Sequence, residues 1–427
     1  MSAAANPSRT PRRPLREAAV RVVQLLQDHG HVAYFAGGCV RDELLGIEPK
    51  DFDVATDARP DRVATIFDRT RSVGESFGVM LVRLYGHSVE VATFRAEWGY
   101  TDRRRPDRVE FTDAEHDAKR RDFTINGLFE DPIANRVIDF VGGEADLRAG
   151  VIRAIGDATE RLNEDHLRAL RAVRFAARFD FRIEDATRDA IRADAARLEG
   201  VSRERIGAEI EMMLTHPARA RAVELLGELG LDGPALHDPA TDASSTATLR
   251  SLPSDADHAL ALAAWAIDRG VDRRNVAARW RRSLVLSNRV ERDFESLLRL
   301  ESRFRENWKT LGVAARKRLA ARRRFDEALI LLAASDPSLA KTIRRNRDEL
   351  AATPSGINPK PYLTGDDLIQ AGLTPGPRFR PVLDAVYDAQ LEDRVESRAA
   401  ALDMARRLEA TEKGGGGVTG DDSRTSK

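Results

Sequence analysis

Cysteine is almost absent from this 427-residue chain, which has a single one, Cys39. One cysteine excludes an internal disulfide framework and a zinc site built on cysteines, and it is typical of a reducing, cytoplasmic setting. Apolar runs are short, and no window supplies the roughly 20 apolar residues that a membrane span needs. The polar segment 1–13 also lacks the apolar stretch of a secretory signal. We therefore expect a cytoplasmic protein with no membrane partner, and no feature predicts a protein partner.

The chain also has no net charge, because 69 basic residues balance 69 acidic ones. The chain as a whole thus gives no electrostatic argument for nucleic acid, and only local basic patches can supply one. Hydrophobic residues make up 42% of the chain and charged residues 32%. This composition is typical of a folded globular protein, and the length allows about two to four packed units.

The hydrophobic periodicity changes once along the chain. Residues 15–26 have one apolar helical face, and Gly30 is placed to end that helix. From residue 31 to about residue 140 the pattern becomes a series of short β-like runs, with a hairpin turn predicted at Tyr85-Gly86-His87-Ser88. After Val151 it is helical. The pattern predicts an α+β fold, in which a small head containing a sheet precedes an all-helical part.

A Gly-Gly pair stands where the first β-like run meets a helix. Without side chains, Gly37 and Gly38 allow backbone N–H groups to approach a phosphate at the positive end of the helix. Arg41 lies one turn into this helix, where its guanidinium is able to bind the same anion. Such a pair is also typical of a plain tight turn, so its interpretation depends on the residues that follow.

Three carboxylates follow in β-like runs. Asp51 and Asp53 are two positions apart, so on a strand they face the same way, and neighbouring carboxylates repel each other unless a cation lies between them. Mg²⁺ prefers oxygen ligands and is suited to this position. Glu90 alternates with Val89 and Val91 in the run HSVEVATF. The three residues together predict a two-metal site for phosphoryl transfer.

Two consecutive arginines, Arg120 and Arg121, face different ways on any regular element. We expect one to meet a triphosphate and the other to pair with Asp122 or with the fold. As an isolated charge run, the pair is equally typical of a solvated surface.

A polar stripe recurs every three residues in the segment 163–178, and it consists of Asp165, Arg168, Arg171 and Arg174. An Asp–Arg pair has a specific use in base selection. Adenine and cytosine both present an amino donor beside an unprotonated ring nitrogen, so Asp is able to accept from the first and Arg to donate to the second. Guanine and uracil present the reverse order. An amphipathic helix with surface arginines is the alternative interpretation.

These motifs resemble those of class II tRNA nucleotidyltransferases and bacterial poly(A) polymerases. The likeness covers about residues 31 to 215, and it rests on the segments GGCVRD (37–42), DFD (51–53), RRDFTIN (120–126), VGGEADL (141–147), EDHLRALRAVRF (164–175) and, more weakly, ERIGAEIEMML (204–214). The resemblance implies a polymerase-β-like nucleotidyltransferase head with a mixed β-sheet, followed by all-helical neck, body and tail domains. Expected boundaries are 15–155 for the head, 156–215 for the neck, 216–352 for the body and 353–413 for the tail, with disordered ends at 1–14 and 414–427.

Carried over position by position, the resemblance implies three groups of site residues. The metal ligands would be Asp51, Asp53 and Glu90, holding two Mg²⁺ ions. The triphosphate would be held by Gly37, Gly38, Arg41, Arg121, Arg171 and Arg174, and the base would be selected by Asp165 and Arg168. The implied reaction is addition of C, A or both, from CTP and ATP, to an RNA 3′ end, which releases pyrophosphate.

The substrate RNA has two candidates within this family. The pattern YxDxRRP (100–106) resembles the loop of tRNA enzymes that add the terminal A, and segment 363–379 resembles the tail of tRNA nucleotidyltransferases. Both features favour tRNA, with poly(A) addition to other RNA as the alternative. An inactive RNA-binding protein that kept the fold is a third possibility, and it is expected to have lost one of Asp51, Asp53 or Arg168, which are all present.

Arginine clusters in the helical part are the expected RNA contacts. They are RRNVAARWRR (273–282), ARKRLAARRRF (315–325) and IRRNR (343–347). A protein that recognises RNA by its shape needs phosphate contacts along one face. These clusters are able to supply such contacts although the net charge of the chain is zero. The pair His237-Asp238 has no second His-Asp set around it in the sequence, so we predict a loop there and no phosphohydrolase activity.

Overall fold

A computed structural model of the chain describes residues 14–73, 78–98, 108–239 and 245–413. Of the parts that the sequence predicts as disordered, 1–13 and 414–427 lie outside these residues. Eleven strands occur in the described residues: β1 (Ala33–Ala36), β2 (Asp53–Thr56), β3 (Thr70–Ser72), β4 (Val79–Leu84), β5 (His87–Thr93), β6 (Arg95–Trp98), β7 (Arg108–Phe111), β8 (Leu128–Asp131), β9 (Arg136–Asp139), β10 (Val151–Ile152) and β11 (Arg182–Ile183).

Seven of these strands form one mixed sheet, in the order β3-β4-β5-β2-β1-β8-β9. Strands β2 and β5 pair in parallel, and the other neighbours pair antiparallel. The predicted hairpin turn is confirmed, because Tyr85 and Gly86 join β4 to β5 with φ values of 51° and 83°. A two-residue turn with positive φ at both positions matches the twist of an antiparallel pair.

Helices occupy most of the rest of the chain. Those up to residue 239 are α1 (Leu15–Asp28), α2 (Gly38–Leu44), α3 (Pro60–Ile66), α4 (Ala114–Lys119), α5 (Gly143–Ala149), α6 (Ala158–Glu164), α7 (Leu167–Phe179), α8 (Asp185–Ala193), α9 (Arg203–Leu214), α10 (Arg219–Glu228) and α11 (Asp232–Leu236). Those after residue 244 are α12 (Ala247–Ser251), α13 (His258–Asp268), α14 (Val276–Leu284), α15 (Asn288–Asn307), α16 (Val313–Ala320), α17 (Phe325–Ala333), α18 (Pro337–Ala351), α19 (Gly365–Gln370), α20 (Phe379–Leu391) and α21 (Arg398–Lys413). None of the described helices is both long and apolar enough to cross a bilayer.

The chain divides into two compact units. The first comprises the described residues of Met1–Ser244 together with Arg279–Leu286, and the second comprises Ser245–Ala278 and the residues from Ser287 onward. The boundary expected between neck and body, after residue 215, falls inside the first unit. The four-part division expected from the sequence therefore stays a prediction, on a finer scale than these two units.

In the first unit, the sheet is covered by helix α1, whose buried residues Ala18, Ala19, Val22, Val23 and Leu26 recur at helical spacing. This helix contacts β1, β2 and β5. Helix α7 packs against α9 and α10 through apolar residues that include Leu170 and Val173, both fully buried. The predicted α+β class is thus observed, with the sheet early in the chain and helices after it.

In the second unit, helices α13, α15 and α17 pack against one another. Arg324 is nearly buried between them, and it pairs with Asp257 at 2.9 Å and with Asp293 at 3.1 Å. Helices α19, α20 and α21 have an apolar cluster of their own, which includes Leu368, Val386 and Ala401.

The β-like runs of the sequence correspond to β1, β2, β4, β5, β7 and β9, but several short strands were not predicted. Strand β8 begins two residues after the RRDFTIN motif ends, and its residues LFED do not alternate between apolar and polar. Strands β10 and β11 form a two-residue parallel pair, so the expectation of helix alone after Val151 is wrong at this point. Strand β7 pairs with β6 in a separate two-stranded sheet.

The close packing of helix α9 against the backbone of Leu284 can be tested by mutation. A Cβ added at Gly207 would lie 2.0 Å from the backbone oxygen of Leu284, which cannot move aside as a side chain would. We expect Gly207→Ala to lower the melting temperature, with a loss of about 1–3 kcal/mol typical of overpacking.

Gly227, in helix α10, is the matched control, because a Cβ there would meet nothing within 4 Å. Gly227→Ala is expected to leave the melting temperature unchanged or to raise it by the helix propensity of alanine, about 0.5–1 kcal/mol. Equal melting temperatures for the two variants would contradict the packing of Leu284 on α9.

Candidate active site

A cavity of about 580 Å³ opens beside the ends of β1, β2 and β5 and is bordered by helix α7. Its walls are basic. Among the residues that the structure describes, nine arginines line it, against the carboxylates of Asp53, Glu90, Asp122 and Asp165: Arg41, Arg95, Arg120, Arg121, Arg168, Arg171, Arg174, Arg178 and Arg205. A pocket of this charge is suited to a polyanion such as a nucleoside triphosphate.

The Gly-Gly turn forms one wall of the cavity, as the sequence predicts. Gly37 ends β1 with φ 71° and is the N-cap of α2, and its N–H donates to the Leu128 carbonyl at 2.9 Å. A Cβ at Gly37 would lie 2.5 Å from Nη1 of Arg121, whereas one at Gly38 would have only Nη2 of Arg41 nearby, at 3.7 Å. Gly37 is therefore required by both its backbone conformation and the approach of an arginine.

Arg41 is almost entirely buried beneath this turn. Its Nη1 donates to Oδ1 of Asn126 at 2.5 Å, and its Nε donates to Oδ1 of Asp42 at 2.8 Å. Burial lowers the pKa of the guanidinium, an effect that Asp42 opposes. Arg41 therefore lines the cavity in a position that its buried partners hold fixed.

Two of the three predicted carboxylates, Asp53 and Glu90, line the cavity at the edge of the sheet, whereas Asp51 is not among its lining residues. Asp53 and Glu90 are register partners on the parallel strands β2 and β5. Asp51 precedes β2 rather than belonging to it, but Asp51 and Asp53 are exposed on either side of the buried Phe52, so they share a face as expected. Burial, with Glu90 and Asp51 nearby, raises the pKa of Asp53 to about 6. The negative charge of these carboxylates is therefore only partly compensated within the protein.

Arg120 and Arg121 share a partner that the sequence analysis did not identify. Buried Asp117, at the end of α4, accepts from Nη2 of Arg120 at 2.7 Å and from Nη2 of Arg121 at 3.0 Å. Burial alone would raise the pKa of Asp117, but Arg121 and Arg120 lower it. Of the two partners expected here, Asp122 or another part of the fold, the structure shows the second, because one helical turn separates Asp117 from both arginines and suits both pairs.

Asp122 instead holds Arg171 of helix α7. Its Oδ2 accepts from Nε of Arg171 at 2.7 Å, while its Oδ1 accepts from the backbone of Phe123 and the side chain of Asn126. Burial alone would raise the pKa of Asp122, but Arg171 and these hydrogen bonds hold it at about 2. A charged pair therefore ties the RRDFTIN segment to α7.

Asp165 and Arg168 lie together at the start of α7, although Asp165 precedes the helix rather than belonging to its stripe. Oδ2 of Asp165 accepts from Nη2 of Arg205 at 2.5 Å, and Oδ1 accepts from the backbone N–H of Leu167 at 3.1 Å. Nη1 of Arg168 donates to Oε2 of Glu164 at 2.5 Å. Both side chains are thus held by other residues, and each keeps hydrogen-bonding capacity for a ligand.

Further along α7, Arg174 donates from Nε to Oε2 of Glu209 at 2.7 Å, and its guanidinium lies 4.2 Å from the centre of the Phe175 ring. The guanidinium carbons of Arg41 and Arg171 also lie within 5.4 Å of that ring. Sequence reasoning missed Phe175 and Glu209, because an aromatic residue and an acid on amphipathic helices are ordinary. Arg205, Arg178 and Asn126 were missed as well, although Arg205 and Asn126 stand inside the family motifs.

Other predicted features lie away from this cavity or outside the described residues. The pattern at 100–106 is among the residues that the structure does not describe. His237 follows α11, and Asp238 accepts from Nε1 of the Trp280 indole at 2.6 Å and pairs with Arg279. Asp238 therefore has a structural role in the first unit. Cys39 lies buried in α2, and burial raises the pKa of its thiol to about 11, which keeps the thiol neutral.

Comparison with protein families identifies two segments of the chain. Residues 33–153 match the Poly A polymerase head domain, and residues 180–238 match the probable RNA and SrmB-binding site of polymerase A. A CCA-adding enzyme of Lactiplantibacillus plantarum is 36% identical over 407 residues, which are 91% of this chain and 96% of that protein. A CCA-adding enzyme of Geobacillus stearothermophilus is 42% identical over 221 residues, about half of each chain (52% and 54%).

Solved structures of the same kind share the fold. The crystal structure of the Bacillus stearothermophilus CCA-adding enzyme in complex with CTP superimposes with a TM-score of 0.77 at 29% identity, covering 94% of this chain and all of that one (100%). The Thermotoga maritima CCA-adding enzyme complexed with tRNA has a TM-score of 0.68 at 20% identity, over 93% and 97% of the two chains, and this likeness bears on the fold alone. With a near full-length relative at 36% identity, this chain belongs to the family of CCA-adding enzymes, which are tRNA nucleotidyltransferases.

Proposed function

We propose that this chain adds C and A, from CTP and ATP, to the 3′ end of tRNA. In each addition the RNA 3′-hydroxyl oxygen forms a bond to the α-phosphorus, and the bond from that phosphorus to the pyrophosphate oxygen breaks. The observation that carries the proposal is one cavity that combines carboxylates at a sheet edge, arginines around a glycine turn and an Asp–Arg pair for the base. The family of the chain supports tRNA as the substrate.

The carboxylates fit a pair of divalent cations. Asp51, Asp53 and Glu90 supply only oxygen donors, which Mg²⁺ prefers, and Asp53 and Glu90 are paired in register. Among the described residues, no three acidic, His or Cys side chains are already gathered as a metal cluster. Neighbouring carboxylates repel each other, so a bound cation would favour their closer approach. Bound Mg²⁺ would stabilise the negative charge that develops on the transferring phosphoryl group.

The arginines bind and orient the triphosphate. Arg41, Arg121, Arg171 and Arg174 each have a carboxylate partner, at 2.6 to 3.0 Å. A guanidinium has five N–H donors, so one that binds a carboxylate on one edge keeps donors for phosphate on another. Because these side chains are already held, binding requires little reorganisation, which is the condition under which such groups stabilise charge most effectively.

Asp165 and Arg168 select the base. The Asp165 carboxylate is oriented by Arg205 and by the Leu167 N–H, and Arg168 by Glu164 and by the backbone oxygen of Arg161. Held in this way, Asp165 accepts the amino hydrogen of adenine or cytosine while Arg168 donates to the ring nitrogen. Uracil or guanine would meet acceptor with acceptor and donor with donor, so it is rejected.

Two alternatives make different products. A poly(A) polymerase would use the same cavity to extend unstructured RNA with many adenosines, and an inactive RNA-binding protein would transfer no nucleotide. The relatives named above favour the tRNA enzyme over the first alternative. The retention of Asp51, Asp53 and Arg168 argues against the second.

The role of the carboxylates in transfer is tested by replacing each of them with its isosteric amide. We expect Asp51→Asn or Asp53→Asn to lower kcat for CTP and ATP addition to tRNA by at least about 10²–10³-fold, the usual effect of removing one group that stabilises transition-state charge. Glu90→Gln is also expected to be strongly impaired. Melting temperatures should stay equal or rise, because each change relieves like-charge repulsion.

Asp61→Asn is the matched control, since this exposed acid lies in the first turn of α3 outside the cavity. Its activity should equal that of the wild type. Near-normal turnover of Asp51→Asn or Asp53→Asn would contradict the metal site, whereas a silent Glu90→Gln would remove only the third ligand.

The role of the glycine turn is tested by comparing two glycine-to-alanine substitutions. Gly37→Ala places a side chain at φ 71° and against Arg121, and a strained residue of this kind costs about 1–3 kcal/mol. We expect the KM for CTP and ATP to rise about tenfold or more, since tenfold corresponds to about 1.4 kcal/mol. Gly46→Ala, at a similar φ of 70° but with nothing within 4 Å of the added Cβ and outside the cavity, should change KM less than about twofold. Equal effects of the two alanines would refute the assignment of Arg121 to the triphosphate through this turn.

Base selection is tested by Asp165→Ala. The variant loses the acceptor that adenine and cytosine need, together with the clash that rejects uracil and guanine. Base contacts of this kind are worth about 1–3 kcal/mol, roughly a tenfold to hundredfold effect. We expect lower kcat/KM for CTP and ATP and a higher relative use of UTP and GTP, measured as four separate incorporation efficiencies. Asp189→Ala, an exposed acid in α8, should leave all four unchanged, and an equal fall for all four in Asp165→Ala would make Asp165 a structural residue.

A further inference from the structure

The arginine clusters predicted to contact RNA are largely occupied by partners within the chain. Arg324 is held by Asp257 and Asp293, and Arg318 pairs with Asp388 at 2.5 Å. Arg316 donates to the backbone oxygen of Trp308 at 3.1 Å. Three further members of the clusters pair with acids: Arg273 with Glu301, Arg279 with Asp238 and Arg347 with Asp326. Charge runs in the sequence therefore do not identify the arginines that are available to a ligand.

Three arginines, one from a predicted cluster and two from outside the clusters, converge on one surface of the second unit. Arg292 and Arg303 lie on α15, and Arg322 lies just after α16; all three are exposed. Within the described part of the chain, their side chains have no ion pair, hydrogen bond or ring contact. We call the surface that they share the α15 groove.

The α15 groove consists of two adjoining cavities, of about 390 and 210 Å³, which share Arg303, Leu319 and Arg322. Polar side chains that can donate or accept hydrogen bonds, Ser296 and Asn307, lie along it, and Leu300, Leu311 and Leu319 form its apolar part. Glu295 is its acidic member, and Arg299 pairs with Glu295, so these two offset each other. The unpaired charge of the groove is therefore positive.

We propose that the α15 groove binds the sugar-phosphate backbone of the tRNA substrate. Arginine binds phosphate through a planar fork of N–H donors, and an unpaired exposed guanidinium loses no internal partner on binding. Arg292 and Arg303 are eleven residues apart on one helix, about 16 Å at 1.5 Å per residue, which is enough to contact several successive phosphates. Backbone contacts of this kind position RNA by shape and not by sequence.

The proposal rests on the tRNA nucleotidyltransferase function, but it assigns a separate step. The residues that line the nucleotide cavity all belong to the first unit, and the α15 groove belongs to the second. The groove should therefore contribute to RNA binding and not to binding of CTP or ATP. A groove of this charge is also able to hold an acidic peptide. If a peptide were its ligand, substitutions in the groove would leave the KM for tRNA unchanged.

The experiment compares two sets of three neutral substitutions in the full-length protein. One set is Arg292→Gln, Arg303→Gln and Arg322→Gln in the α15 groove. The control set is Arg344→Gln, Arg345→Gln and Arg347→Gln on α18, which changes the net charge equally in a predicted cluster that does not line the groove. We expect the groove set to raise the KM for tRNA at least tenfold, with the KM for ATP and kcat within about twofold of wild type. The slope of log affinity against log salt concentration should become less negative by up to about 3, which is roughly 1 for each phosphate that is no longer bound.

The controls separate the possible outcomes. A set of Arg→Lys changes at the three groove positions keeps the charge and should keep most of the salt dependence. Melting curves of the groove variants should match the wild type, since their substituted side chains have no internal partner, whereas the α18 set gives up the pairs of Arg345 and Arg347. An unchanged KM for tRNA, or an equal rise in the α18 control set, would overturn the groove assignment. A wild-type protein that adds no nucleotide to tRNA would instead overturn the proposed function.

Discussion

Buried carboxylates that hold arginine side chains are the interaction on which the nucleotide cavity depends. Asp42, Asp117, Asp122 and Glu209 are each less than a tenth exposed, and each binds one or two arginines that line the cavity. Without the acids, so many guanidinium groups around one cavity would repel each other. Breaking one such buried pair typically costs about 3–5 kcal/mol, because the remaining charge is left without a partner. The same pairs hold the arginines ready for the phosphates of the incoming nucleotide.

This pairing also connects elements that are distant in the sequence. Arg171 and Arg178 of α7 reach back to Asp122 and to Asp42 of α2, at 2.7 and 3.1 Å. Arg205 of α9 reaches Asp165 in the same way. These pairs therefore connect α2, the RRDFTIN segment and α9 to helix α7. In the second unit, by contrast, the arginines that matter for a ligand are those without internal partners.

Much of the candidate site was predictable from the sequence, since its residues stand in short motifs whose geometry is local. The Gly37-Gly38 turn, the shared face of Asp51 and Asp53 and the polar face of α7 all follow from strand and helix periodicity. The partners of the arginines were not predictable, because Asp117, Asp122 and Glu209 are ordinary acids until the fold brings them to a particular guanidinium. Strand β10 was missed because two residues are too few to show a period, and β8 because its residues LFED do not alternate between apolar and polar. The arginine clusters were overvalued, because a run of charge in the sequence does not show which side chains already have a partner.

The central claim is that one cavity selects C and A and joins them to tRNA. Its most direct test is to incubate the full-length protein and Mg²⁺ with tRNA that lacks the terminal CCA, together with CTP and ATP, and to sequence the 3′ ends formed. The structure and the family of the chain predict addition of C, C and A in that order, followed by a stop. Long adenosine tails, indifference to the folded state of the RNA, or no extension would contradict the account.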